Sequence, residues 1–324
     1  MALKSRLGAL ALWAGGWLIA SCGPLQAQTY PSKPLRVIVP SVAGTGSDVL
    51  TRIVVARLAE RLKQTIVVEN RAGAGAVIGV NYLKNAAPDG YTIGVLQSAN
   101  TIQPWLVKDL PFDVRKDFAP LILTYTVPLV MVVPDTLPAK TVADFVAFAK
   151  AGPGVFYGTT GIGATGHLSA ELLKQLGNFD MTVIPFKGTP ELINAAMSGS
   201  VHMYFDAYSS SKGLVESGRL RVLAVTSGHR MNTLPNVPSL SETFPGFEVI
   251  GWVGLAAPLG TPKEIVERLS FELAAVMRMP DIRKQLSEGG AEPSGLSPSE
   301  FAELIAADTQ KWGKVVAAAG LKKE

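Results

Sequence analysis

Cysteine occurs once in the 324 residues, at Cys22, and histidine only three times, at His167, His202 and His229. One thiol allows no internal disulfide and no zinc-thiolate cluster, and no two of the histidines have metal-ligand spacing on one helix. Charge is sparse too, at 17% Asp, Glu, Lys and Arg. The basic residues are scattered, the densest runs being Lys4/Arg6 and Lys322/Lys323. A nucleic-acid binder needs a basic stripe with interleaved aromatics, and there is none. After the first twenty residues no apolar run approaches the roughly 20 residues of a spanning helix. There is no G-x-S-x-G elbow and no acid, base and nucleophile set of convincing spacing.

What remains is 48% hydrophobic residues with 32 glycines and 22 prolines. That supports one large α/β unit or two lobes with separate cores, and argues against a coiled coil or disorder. The formal charge of +4 provides a mild field that favours anionic ligands.

The start reads as an export signal over residues 1–27. Lys4 and Arg6 precede an apolar stretch from Leu7 to Ala20, then a short polar segment. Two processing routes are open. Ile19-Ala20-Ser21-Cys22 resembles a lipobox that makes Cys22 the lipid-bearing first residue, while Ala27 offers an ordinary signal-peptidase site. Both place the mature protein outside the cytoplasm, in the periplasm.

The body alternates strand and helix patterns. Leu35–Pro40 reads as a buried strand; Asp48 onward carries apolar residues on one helical face, with Ser47 or Asp48 as N-cap. Strands follow at 65–69, 91–96, 154–158, 181–186, 201–206 and 220–226, and helices at 76–85, 141–150, 167–176 and 190–198. Two apolar runs fill 118–134, another spans 246–258, and the tail holds helices at 263–277, 281–288 and 299–314. Such alternation implies parallel sheet with right-handed crossovers. The reading is two α/β lobes, the second inserted into the first: 28–127 and 251–324 form one, 128–250 the other.

Three turns stand after a strand and before a helix: Ser41 to Asp48, Thr159 to His167, and Lys187 to Pro190. Glycine allows close backbone approach, and an uncapped helix start offers free N–H groups and a favourable dipole to an anion. One such turn is commonplace; three in separate units point to a shared anion site. Nucleotide readings fit less well. Gly73 to Gly79 resembles a dinucleotide fingerprint with its third glycine displaced by one, and Gly161 to Gly166 has phosphate-loop spacing with His167 where lysine is needed. His167 either faces a ligand or caps its turn. His202 reads as structural. Asp206 faces the gap or starts the following loop, and Lys187 is a solvated strand end or a cleft charge. Trp105, Trp252 and Trp312 read as core or hinge packing.

These residues carry a resemblance over essentially the whole mature chain. Tyr30-Pro31-Ser32-Lys33-Pro34 with Val37-Ile38-Val39-Pro40 and Ala43-Gly44-Thr45-Gly46-Ser47-Asp48 resembles the Bug family, TctC-like receptors of tripartite tricarboxylate transporters. Val68-Glu69-Asn70-Arg71, Pro88-Asp89-Gly90-Tyr91-Thr92, Tyr157-Gly158-Thr159-Thr160-Gly161, Pro185-Phe186-Lys187-Gly188-Thr189 and Pro235 to Glu242 continue it. The resemblance implies a type II periplasmic-binding-protein fold, two α/β lobes closing over a ligand cleft. It also implies an organic-acid ligand and membrane permease subunits as partners, with neither cofactor nor catalysis. Its cleft contacts fall on Ser41, Ala43, Gly44, Thr45, Gly46, Ser47, Thr159, Thr160, Gly161, Gly163, His167, Gly188, Thr189 and Asp206. Ser41 and Thr45 depart from the family pattern, which has an aromatic ring and a glycine there. An exported α/β hydrolase or dehydrogenase, and a ligand-sensing accessory of a two-component system, are the rival readings.

Overall fold

The computed structural model describes residues 30–152 and 154–323, so the expected export signal and Cys22 lie outside the described residues. Leu35–Val39 (β1) is apolar except at Arg36 and leads through a short turn into Gly46–Leu62 (α1). Ile66–Asn70 (β2), Val77–Lys84 (α2) and Thr92–Gln97 (β3) follow as the periodicity predicts. The next helix, Ala99–Leu106 (α3), has no counterpart in the sequence reading: it is eight residues long and contains Pro104. The two apolar runs at 118–134 are one strand, Phe118–Pro134 (β4), seventeen residues long.

A second series then unfolds: Val142–Ala151 (α4), Phe156–Thr159 (β5), Thr165–Gly177 (α5), Thr182–Pro185 (β6), Thr189–Met197 (α6) and Met203–Ala207 (β7). The serine-rich segment read as a loop after Asp206 is a helix, Tyr208–Glu216 (α7). Its three serines and a glycine are weak helix formers. Tertiary contact supplies what propensity does not, with Ser211 Oγ hydrogen-bonded to Tyr204 Oη at 2.6 Å. Leu220–Val225 (β8) and Ile250–Pro258 (β9) precede Lys263–Met277 (α8) and Pro280–Glu288 (α9). Glu292–Leu296 (β10) was also missed, because proline and glycine within it conceal a strand. Pro298–Ala318 (α10) closes the fold, its start fixed by a Ser297/Glu300 capping box.

The sheet is mixed rather than purely parallel. Along it the order runs β2-β1-β3-β9-β4-β7-β5-β6, with β10 and β8 also paired to β4. Residues 118–128 of β4 pair with β9, and 123–126 with β10; residues 129–134 pair with β7 and β8. One long strand thus belongs to two sheet halves, and the crossing falls at Pro128 and Leu129.

Register then decides where the strand ends lie. Gln97 of β3 stands opposite Val253 of β9, which stands opposite Tyr125 of β4, so β3 and its parallel partner β1 run toward the crossing. From the other side β7 runs antiparallel to β4 and ends with Ala207 opposite Leu129, and β5 and β6 run with it. The carboxyl ends of both parallel sets therefore arrive at one level of the molecule.

Two large cores flank this level. One gathers Val37, Leu58, Ile93, Tyr125 and Leu273, the other Phe145, Tyr157, Leu168 and Phe247. The last helix serves both halves. Phe301 and Ile305 of α10 pack with Leu96 and Trp252 in the first half, whereas Trp312, Val315 and Val316 enter the core of the second. Trp252 and Trp312 are buried, as read from the sequence, while Trp105 stays 36% exposed and donates its indole N–H to Thr309 O at 2.8 Å.

Candidate functional site

Each of the three glycine turns joins a strand that ends at the crossing to the helix after it. The first, Ser41 to Thr45, follows β1. Its helix starts earlier than expected: Thr45 holds the N-cap position in an extended conformation, and neither it nor Ser47 or Asp48 caps by accepting a first-turn N–H. Asp48 does something else. Buried beneath the turn, its carboxylate accepts from Gly44 N–H at 2.9 Å, Arg52 Nε at 3.0 Å and Asn70 Nδ2 at 2.8 Å. The Arg52 hydrogen bond above all holds its pKa down, to about 2. Asn70, the last residue of β2, also donates to Ser41 O at 3.1 Å, so the turn is pinned from below by two elements. Ala43, Gly44, Thr45 and Gly46 are exposed above it, and the Ser47 hydroxyl is buried on the opposite side.

The second turn follows β5. Thr159 is buried and its hydroxyl donates to Gly161 O at 3.0 Å, which spends it inside the turn. Thr160 is exposed. His167, in the first turn of α5, is 1% exposed and accepts Gly163 N–H at Nδ1, 2.9 Å away. That bond assigns the proton of the neutral ring to Nε2. The ring stacks on Tyr157 at 6.0 Å, and burial lowers its pKa, favouring the uncharged form. His167 thus secures the turn from the first turn of α5.

The third turn follows β6 and meets Asp206 at the end of β7. Thr189 donates its hydroxyl to Asp206 Oδ2 at 3.0 Å, and Asp206 Oδ1 accepts Ala207 N–H at 2.8 Å. Burial raises the pKa of this carboxyl. Asp206 thereby ties the start of α6 to the start of α7. Helix α7 supplies a fourth uncapped N-terminus that sequence reasoning missed, for want of an apolar period in its serine-rich segment. Lys187 is exposed, away from this pairing. His202 is structural, accepting Phe156 N–H at 2.9 Å and stacking on that ring.

The glycines fall into three groups. A Cβ at Gly79 would lie 2.6 Å from Arg71 O, and one at Gly166 the same distance from Phe205 O, so close packing accounts for both. Gly44 and Gly163 have φ near +80°, where other residues are strained. Packing thus accounts for the last glycine of each nucleotide-like motif. Gly46, Gly161 and Gly188, one from each turn, answer to neither demand: φ is ordinary, Gly46 and Gly161 have nothing within 4 Å of an added Cβ, and Gly188 only an ordinary contact with Pro190. The turns also meet the other half of the molecule: Gly163 abuts Leu106 at the end of α3. That helix is a further element the sequence reading lacked; its signal was Ser98 followed by Asn100, whose Oδ1 accepts Gln97 N–H at 2.8 Å.

Among the described residues no group of three or more His, Cys, Asp or Glu side chains is arranged to hold a metal ion, and no helix is long and apolar enough to cross a membrane.

The chain matches the family described as tripartite tricarboxylate transporter family receptor over residues 50–321. It is 31% identical over 314 residues to protein BugT of Bordetella pertussis, covering 95% of this chain and 96% of that one. Its fold is similar to that of R. palustris Rpa4515 with adipate, at TM-score 0.79 and 34% identity, covering 91% of this chain and all of the other. It is likewise similar to MatC from Rhodopseudomonas palustris with bound malate, at TM-score 0.73 and 28% identity over 89% of this chain and 100% of that one. With the sequence match running from α1 to the tail and the same architecture throughout, this chain belongs to the tripartite tricarboxylate transporter receptor family.

Proposed function

We propose that the protein captures a small organic acid outside the cytoplasmic membrane, in the gap at the β4 crossing, and delivers it unchanged to the membrane permease subunits of a tripartite transporter. The acid is held by backbone N–H groups at the starts of α1, α5 and α6, with Ser41 to Gly46, Thr160, Gly161, His167, Gly188 and Thr189 around it. Thr159, Gly163, Ser47 and Asp206 hold the turns in place. The observation that carries this reading is the set Gly46, Gly161 and Gly188, bare backbone in each turn that neither φ nor packing requires. Such bareness serves close approach by a ligand, and first-turn amides with the helix dipole suit a carboxylate without an arginine clamp. The related structures with adipate and with malate, both dicarboxylates, support the ligand class.

Residues 28–127 and 251–324 form one lobe and 128–250 the other, with α10 lying across both. Ligand contacts from both lobes stabilise the closed arrangement by differential affinity. Thermal unfolding with a panel of carboxylates tests the reading: a saturable rise in Tm is expected, about 2.7 kcal/mol of stabilisation at a hundredfold excess over Kd. Turnover of a bound acid, with no saturable stabilisation, would return the protein to the enzymes. Intact-mass measurement of the exported protein separates a lipid-bearing Cys22 from a soluble form cut after Ala27.

A further inference from the structure

Helix α5 follows the second turn, yet nothing caps its start: Ala164 holds the N-cap position and has no side-chain oxygen to accept a first-turn N–H. What fixes the turn is His167, whose Nδ1 takes the Gly163 N–H at 2.9 Å. His167 is itself held from behind. The Tyr157 ring of β5 lies along it, 16° from parallel with centroids 6.0 Å apart. One helical turn further along α5, Glu171 Oε1 accepts the Tyr157 hydroxyl at 2.5 Å. Lys174 holds the same oxygen at 3.1 Å and reaches Asp180 at 3.1 Å.

Neither partner of that bond faces the gap. Tyr157 is fully buried, and Glu171 lines, with Lys174, Gln175 and Phe179, a hollow that no residue of the three turns reaches. Core packing alone does not require the pair. A buried carboxylate and phenol are costly to desolvate, and an apolar pair of similar volume is often as stable. What the polar pair adds is one geometry, because the bond is short and directional and ties α5 to β5 at a single height. At the start of α5, an added Cβ on Gly166 would lie 2.6 Å from Phe205 O, so the helix has no slack toward β7 either. It cannot slide along β5 without breaking the Tyr157–Glu171 bond.

We infer that Tyr157 and Glu171 are positioning residues for ligand binding. They set the axial place of α5 and the plane of the His167 ring, and through that ring the Gly161 to Gly163 backbone that meets the acid. The inference rests on the receptor reading above and deepens it at the second turn. Amides already aimed hold an anion more tightly than amides that must first be ordered, so losing the pair costs affinity rather than folding.

The double variant Tyr157→Phe/Glu171→Leu removes both polar partners at once, keeps a ring against His167 and leaves Lys174 paired with Asp180. Calorimetric titration of the mature protein with succinate, malate and adipate should show about tenfold weaker binding of each acid that the unaltered protein takes, with Tm unchanged or raised. Tyr157→Phe alone should weaken binding in the same sense. Glu171→Gln keeps an oxygen for the phenol and should bind within about twofold of the unaltered protein. Long-range proton–nitrogen correlation of the imidazoles gives a reading that needs no ligand. His167 should carry its proton on Nε2 in the unaltered protein and give up part of that tautomer in the double variant. His202, whose Nδ1 accepts Phe156 N–H, should stay unchanged. Unaltered affinity and unaltered His167 signals in the double variant, or in Tyr157→Phe if the double variant does not fold, overturn the inference and leave the receptor reading standing. A loss of affinity that Glu171→Gln shares in full overturns it too. Absence of saturable binding by all three acids removes the receptor reading and the inference together.

Discussion

Residues in these turns do two separable jobs, and glycine shows the division best. Gly161 has open space where a Cβ would be, whereas a Cβ at Gly166 would press on Phe205 O at 2.6 Å. Gly161→Ala is therefore expected to leave Tm unchanged while weakening ligand binding about tenfold or more, read by calorimetry. Gly166→Ala is expected to lower stability by about 1–3 kcal/mol through overpacking, read by urea unfolding. Asp48 supports the first turn by charge. Its folded pKa of about 2 lies below the ordinary 3.8, so its contribution is present above pH 3.8 and is lost as pH falls through 2. Stability measured by urea unfolding should drop across that window, and Asp48→Asn should flatten the drop. Position 48 was singled out from the sequence as a cap. Of its actual partners, Arg52 stands one helical turn along α1, while Asn70 was not legible because it lies at the end of β2, distant in the chain.

Among the elements, α10 does most to unite the halves. Its register places Phe301 in one core and Trp312 in another, and its middle residue Asp308 accepts from Trp252 Nε1 at 3.0 Å and Thr101 Oγ1 at 2.9 Å while pairing with Lys311. Trp312→Ala should cost about 3–5 kcal/mol in chemical unfolding, the range for truncating a buried aromatic. The apolar period of this helix and its Ser297-Pro298 start were visible in the sequence, although the helix runs four residues beyond the expected end, to Ala318. The missed elements share a cause. Helices α3 and α7 and strand β10 carry proline, glycine or serine against their own propensities, and neighbouring strands and helices hold them in place.

For the whole molecule, β4 and α10 each run through both halves, so neither half can lose its structure alone without exposing part of the other's core. Calorimetric unfolding is expected to give one cooperative peak, with the calorimetric enthalpy equal to the van't Hoff value; two resolved peaks would show that the halves unfold independently. On the two-lobe closure proposed above, the same two elements would restrict the movement, since closing would bend or twist the chain near Pro128 and Leu129 while α10 keeps contact on both sides.

Most of what recurs locally was decided by the order of residues: strand and helix periods, the glycine turns between them and the α/β class follow from side-chain spacing and backbone freedom. The resemblance to the receptor family was also carried by short motifs. What only the tertiary structure decided is non-local. The merging of two apolar runs into one strand shared by two sheet halves depends on pairing with β7, β8, β9 and β10. The pinning of the first turn by Asn70 depends on β2 lying beside β1. The assignment of each glycine to packing, to φ or to neither depends on what stands above its α-carbon. Such facts arise from residues distant in the chain meeting in space, and no period or propensity encodes that meeting.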